Sequence, residues 1–91
     1  METIIVEIEC SGEWQGNIGD LRGSYSVEGY GYKTYTFERK GQDPWILTAL
    51  VQKKDWGAYG LTVTIKTKDG KVLESQSTTA EFGVVTVSWS G

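Results

Sequence analysis

Histidine is missing altogether from this 91-residue chain. With it go the commonest general base, the commonest metal ligand and the usual switch near neutral pH, and so most hydrolase and zinc-site chemistries. Cysteine occurs once, as Cys10, so no internal disulfide can form. With no imidazole to activate it, that thiol reads as a small buried hydrophobe and not as a nucleophile. Basic charge is scarce as well: nine Lys and Arg against twelve Asp and Glu leave a formal charge of −3. Phosphate backbones are held by basic surfaces that displace counterions, so no nucleic-acid partner is expected. Lys53-Lys54, the densest basic pair apart from Arg39-Lys40, reads as an edge strand or a solvated turn. No apolar run reaches the roughly 18 residues of a membrane span. The opening Met1-Glu2-Thr3 leads into isoleucines that alternate with glutamate, unlike a secretory leader.

What is present is alternation. Residues 3–10 place Ile4, Val6, Ile8 and Cys10 on one side of a strand, with Glu7 and Glu9 on the other. Ser11-Gly12 breaks the pattern, and residues 16–20, Gly-Asn-Ile-Gly-Asp, read as a loop tolerant of positive φ. Residues 25–37 are dense in tyrosine, threonine and valine and read as one strand, with a bulge or close sheet contact at Gly29 and Gly31. No GK[ST] or GxGxxG pattern accompanies those glycines, which excludes a nucleotide loop. Residues 38–44, with the only proline, form a turn. Residues 45–51 then resume as an apolar run whose two faces, Leu47, Ala49, Val51 and Ile46, Thr48, Leu50, suggest a central strand covered on both sides; periodicity alone also admits a short helix.

After a glycine-bearing connection over residues 54–60, Leu61, Val63 and Ile65 alternate with Thr62, Thr64 and Lys66. Asp69-Gly70 between alternating runs is the chemistry of a type I′ hairpin, pairing residues 61–67 with 71–77. Residues 80–83 turn the chain into a last β-branched strand over 84–89. No amphipathic helix appears. About six or seven short strands in a single domain spanning the whole chain indicate an all-β, two-sheet antiparallel sandwich of immunoglobulin-like type, with a small barrel as the second choice.

The second half carries a resemblance. The strand Leu47-Thr48-Ala49-Leu50-Val51-Gln52, then Leu61-Thr62-Val63, Asp69-Gly70-Lys71-Val72, Ser75-Gln76-Ser77 and Phe82-Gly83-Val84-Val85-Thr86-Val87-Ser88 follow in order and spacing. This stretch resembles the extracytoplasmic domain of the mycobacterial MmpS family and related small archaeal surface or lipoprotein domains. Residues 69–88 are the most specific part, and the first half matches only through residues 4–9 and 35–37. The resemblance implies an immunoglobulin-like sandwich tethered outside the membrane, a non-enzymatic accessory to a lipid-exporting transporter. It departs from the family in lacking the N-terminal helix or lipid-attachment segment. It also has Thr64 and Val87 where many members place a cysteine pair that would bridge neighbouring strands or the two sheets.

Candidate site residues come from the aromatics, since four Trp and five Tyr are many for this length. Trp14 and Trp45 are assigned to the core. Trp56 and Tyr59, in the connection Asp55-Trp56-Gly57-Ala58-Tyr59-Gly60, are candidates for contact with a partner or a sugar, and Tyr30 and Tyr32 form a second candidate pair. Asp43, Asp55 and Glu81 read as solvated loop acids, because no spacing brings two together as glycoside hydrolysis requires. Asn17 to Asp20 offers too few oxygens for calcium, so neither metal nor cofactor is expected. The expectation is a non-catalytic extracytoplasmic accessory or recognition domain that contacts a membrane transporter, envelope component or other protein. The alternative is a carbohydrate-binding module built on the exposed aromatics.

Overall fold

The computed structural model describes residues 2–20, 23–39, 45–54, 57 and 59–90. Among these are eight strands: β1 (Glu2–Cys10), β2 (Glu13–Asp20), β3 (Gly23–Tyr30), β4 (Lys33–Arg39), β5 (Ile46–Lys53), β6 (Leu61–Thr67), β7 (Val72–Thr78) and β8 (Val84–Ser90). They form two antiparallel sheets, ordered β4-β1-β6-β7 and β3-β2-β5-β8, packed face to face as a β-sandwich. The alternation read from the sequence supplies the core. Ile4, Val6 and Ile8 of β1 and Leu61, Val63 and Ile65 of β6 meet Trp14 and Ile18 of β2 and Leu47, Ala49 and Val51 of β5, all fully buried. Each such aliphatic side chain contributes about 1.5–3 kcal/mol by leaving water. Cys10, Trp14 and Trp45 are buried, and the Trp45 indole donates to Asp20 Oδ2 at 3.2 Å while packing edge-on against Trp89.

Five local expectations are corrected. Residues 16–20 are no loop but part of β2, a central strand between β3 and β5. Its glycines serve close packing: a Cβ on Gly16 would sit 2.9 Å from Val51 Cα, so only glycine lets β2 approach β5 there. Residues 25–37 are two strands in different sheets. Gly31, at φ 78°, turns the chain from β3 into β4, and its carbonyl and N–H are fixed by Trp14 Nε1 at 3.0 Å and by Gly12 O at 3.2 Å. Gly29 does mark a close sheet contact, since a Cβ there would lie 2.9 Å from the Trp14 ring.

β6 and β7 pair antiparallel as a hairpin, as expected, but the turn is not type I′. Among the described non-glycine residues only Phe82 has positive φ, so Asp69 does not adopt the left-handed conformation that turn needs. Instead the Gly70 N–H closes on Thr67 O at 3.0 Å with Gly70 itself at φ 93°, a type I turn followed by a left-handed glycine. The register shifts by one residue beyond Ile65, which lets Leu73 pack against the core.

Finally, Lys53 is not solvated. It is fully buried on β5, the inward position that follows Leu47, Ala49 and Val51. β5 is a central strand, as expected, yet it is covered on one side only: Ile46 and Leu50 on its outer side are 43% and 42% exposed. Thr64 lies on the outer side of β6, beside Ser75, whereas Val87 points inward from β8 in the other sheet. The two positions therefore do not face each other, and hydrophobic packing occupies the space between the sheets.

Candidate functional site

The four aromatics singled out in the sequence do not form one platform. Trp56 lies outside the described residues. Tyr59 is half-buried and stands against Lys53, whose Nζ is 4.5 Å from the ring centroid. The same ammonium donates to the carbonyls of Gly57 at 2.6 Å, Tyr59 at 2.7 Å and Ala80 at 3.1 Å. This arrangement ties the β5–β6 connection to the turn before β8, and it makes Tyr59 part of a structural latch. Tyr30 and Tyr32 are exposed, but the corner at Gly31 sends them apart. Tyr30 pairs with Glu13 at one end of the outer face of the β3-β2-β5-β8 sheet. Tyr32 reaches the outer face of the opposite sheet, where its hydroxyl donates to Glu7 Oε2 at 2.6 Å.

Glu7 also accepts from Lys66 Nζ at 2.6 Å. The Lys66 ammonium and the Tyr32 hydroxyl hold the Glu7 carboxyl below its usual range, and the same carboxylate pushes both Tyr32 and Lys66 upward. Each group is moved away from neutrality, the reverse of what general acid–base catalysis requires. Thr34, Thr64 and Ser75 surround it in register, so this face is a charged and hydroxylated sheet surface. Among the described residues no group of three His, Cys, Asp or Glu side chains could hold a metal ion. No helix among them is long and apolar enough to cross a membrane.

The outer face of the β3-β2-β5-β8 sheet is different in kind. Reading across the strands, one row runs Glu28, Gln15, Gln52, Val84; the next Ser26, Asn17, Leu50, Thr86; the next Ser24, Gly19, Thr48, Ser88. Neither lysine nor arginine stands in these rows, and Glu28 at the margin is their only charge. Neighbouring polar groups satisfy one another: Ser26 Oγ donates to Asn17 Oδ1 at 3.2 Å, and the hydroxyls of Thr48 and Ser88 are 3.2 Å apart.

Two shallow depressions share Asn17 and Leu50. One, of about 380 Å³, is lined by Gln15, Asn17, Ser26, Glu28 and Gln52. The other, of about 350 Å³, is lined by Gly19, Asp20, Ser24, Ile46 and Thr48. The turn at one end of this face carries the strained residue of the described chain: Phe82 sits at φ 50°, 44% exposed, and its carbonyl accepts from Gln52 Nε2 at 3.2 Å. Left-handed backbone in an aromatic residue costs about 1–2 kcal/mol and tends to persist where a surface is used.

Sequence reasoning missed this face because it assigned residues 16–20 to a loop and both sides of β5 to the interior. The signal that could have found it is the absence of charge over residues 46–52 and 84–90. No family model, curated protein or solved structure matches the chain.

Proposed function

We propose that this domain is a non-catalytic recognition module of the MmpS-like accessory kind. It works on the extracytoplasmic side and docks onto a membrane transporter or another envelope protein through the outer face of the β3-β2-β5-β8 sheet. The observation that carries this reading is the composition of that face. Ile46, Leu50 and Val84 are half-exposed among amides and hydroxyls, with no lysine or arginine between them. Centres of protein interfaces are depleted of charge in the same way, and the desolvation cost of covering this face is correspondingly low. Glu13 and Lys54 at the Tyr30 end and Asp20 beside Gly19 border this neutral centre, and the Glu7–Lys66 pair stands on the opposite face.

A second reading has one observation in its favour. Gln15, Asn17, Glu28 and Gln52 around the larger depression present the amide and carboxylate groups that bind sugar hydroxyls, with Tyr30 beyond Glu28 on the same side.

A photo-crosslinking residue introduced in place of Leu50, compared with one in place of Thr36 on the opposite sheet, separates these readings in cells. The expected result is one discrete adduct with a membrane protein at Leu50, lost on adding Ile46→Lys, and none at Thr36. Equal labelling from both positions overturns the assignment. Saturable glycan binding that quenches tryptophan fluorescence and is abolished by Gln15→Ala replaces it with the carbohydrate reading.

A further inference from the structure

Each sheet has two edges, and three of the four edge strands are protected by charge. β3 carries Glu28, β4 carries Lys33, Glu38 and Arg39, and β7 carries Glu74. The fourth, β8, reads Val-Val-Thr-Val-Ser-Trp-Ser with neither charge nor proline. Its register with β5 is unbroken over seven residue pairs, so no bulge twists it away. Among the described residues nothing pairs with its outer edge. Long uncharged edges of this sort are the ones that accept another strand.

The backbone parity of that edge follows from one hydrogen bond. Lys53 N–H donates to Gly83 O at 3.0 Å, which makes Lys53 and Gly83 a hydrogen-bonded pair of the β5–β8 ladder. Hydrogen-bonded pairs recur at every second residue, so Val85, Val87 and Trp89 direct their amides and carbonyls toward β5. Val84, Thr86, Ser88 and Ser90 direct theirs outward.

We infer that β8 pairs antiparallel with β8 of a second copy of this chain, about a two-fold axis through Val87. The two β3-β2-β5-β8 sheets thereby join into one continuous sheet. Three observations select a second copy as the occupant. The symmetric register that uses the whole strand sets residue 84 against 90 and 86 against 88, so every outward N–H meets an outward carbonyl. The same register lays Val85 beside the half-buried Trp89 of the other copy, inside the sandwich layer. And two chains each of formal charge −3 meet with little repulsion at an uncharged strand, which β8 provides. A two-fold contact closes on itself, and the opposite edge of the sheet, β3, carries Glu28 and so does not propagate the association.

Sedimentation equilibrium on the full chain tests this over concentrations up to roughly 1 mM. The expected mass is twice the 10.1 kDa of the monomer. Thr86→Pro removes only an outward N–H, leaving the β5 ladder intact, and is expected to weaken the dimer at least roughly 100-fold with unchanged circular dichroism. A charge pair checks the register independently of that variant. Thr86→Lys with Ser88→Lys sets like charges opposite each other and gives a monomer, whereas Thr86→Lys with Ser88→Glu sets lysine opposite glutamate and restores the dimer. A wild-type chain that stays monomeric overturns the inference. So does a dimer indifferent to the lysine pair, or one in which lysine–lysine and lysine–glutamate behave alike. None of these outcomes bears on crosslinking at Leu50, so this inference and the proposed docking face fail separately.

Discussion

Lys53→Met tests the most unusual interior feature of the fold. The ammonium is removed from water completely and meets three carbonyls within 3.1 Å, together with the face of Tyr59. Burying such an ion costs several kcal/mol. Against this, a hydrogen bond to a charged group is worth about 1.5–3 kcal/mol net, and there are three of them. Methionine keeps most of the aliphatic stem, so the substitution isolates the ammonium and leaves the carbonyls of Gly57, Tyr59 and Ala80 without their donor.

Gly57 and Tyr59 are half-buried and Ala80 is exposed, so water can reach part of that carbonyl ring. The loss is accordingly set at about 2–4 kcal/mol, below the full penalty for three buried orphans. In a domain of this size that lowers the melting temperature by roughly 10–25 °C. Lys54→Met, one residue along and exposed, should change stability by less than about 0.5 kcal/mol. The assay is urea unfolding followed by tryptophan fluorescence, with m-values compared to confirm that the unfolded states match. A Lys53→Met protein as stable as the parent, or more so, would refute the reasoning. The latch would then merely break even with its desolvation cost.

Two further predictions address the sheets. Gly16→Ala is expected to destabilise by about 2–3 kcal/mol, because its Cβ would press on the β5 backbone, while Gly60→Ala, with nothing closer than 3.9 Å, stays near neutral in the same melts. Glu7→Gln should cost a small, salt-sensitive amount that depends on pH. The Glu7 carboxyl is depressed in the fold, so its stabilisation is present above the unfolded carboxyl value of about 4.3 and disappears as pH falls through the folded one. Lys66 is raised, so its share is present below about 10.4 and is lost as pH rises through its folded value. The difference between wild type and Glu7→Gln should therefore be flat across neutral pH and vanish in acid; a difference that grew in acid would contradict the assignment of Lys66 and Tyr32 as its causes.

The sequence made the strands with clean alternation legible, and it hid those whose inward positions are not apolar. β1 and β6 announce themselves because every second residue is a branched aliphatic. β2 does not: its inward series is Trp14, Gly16, Ile18, and the central member is the glycine that local chemistry assigns to a turn. What decides its state is the approach of β5, which no local pattern carries. Gly31 is the same case. A residue that redirects a strand from one sheet to the other looks, in sequence, like a bulge within one strand. Lys53 was legible in principle, as the fourth inward position of Leu47, Ala49 and Val51, but composition argues against burying a lysine until its three carbonyl partners are known. The aromatic candidates failed as a group for a related reason. Tyr30 and Tyr32 are neighbours in the chain and face opposite sides of the sandwich.

The glycines of β2 and the neutrality of the outer face belong to one physical argument. A strand poor in side chains sits deep between its neighbours: Ser24 of β3 packs directly onto Gly19, and the depression beside them opens toward Ile46, Thr48 and Leu50 of β5. The row Ser24, Gly19, Thr48, Ser88 has little side-chain entropy to lose on being covered, whereas Gln15, Gln52 and Glu28 at the other end have more. Its three central rows also have no ammonium or guanidinium group to desolvate, Lys54 standing beyond them at the Tyr30 end. The opposite face, with Glu7, Lys66 and Tyr32 already bound to one another, would have to break those bonds or bury them before any partner could bind. The costs of association therefore differ between the two outer faces, and the difference favours the one that β8 extends to a free edge.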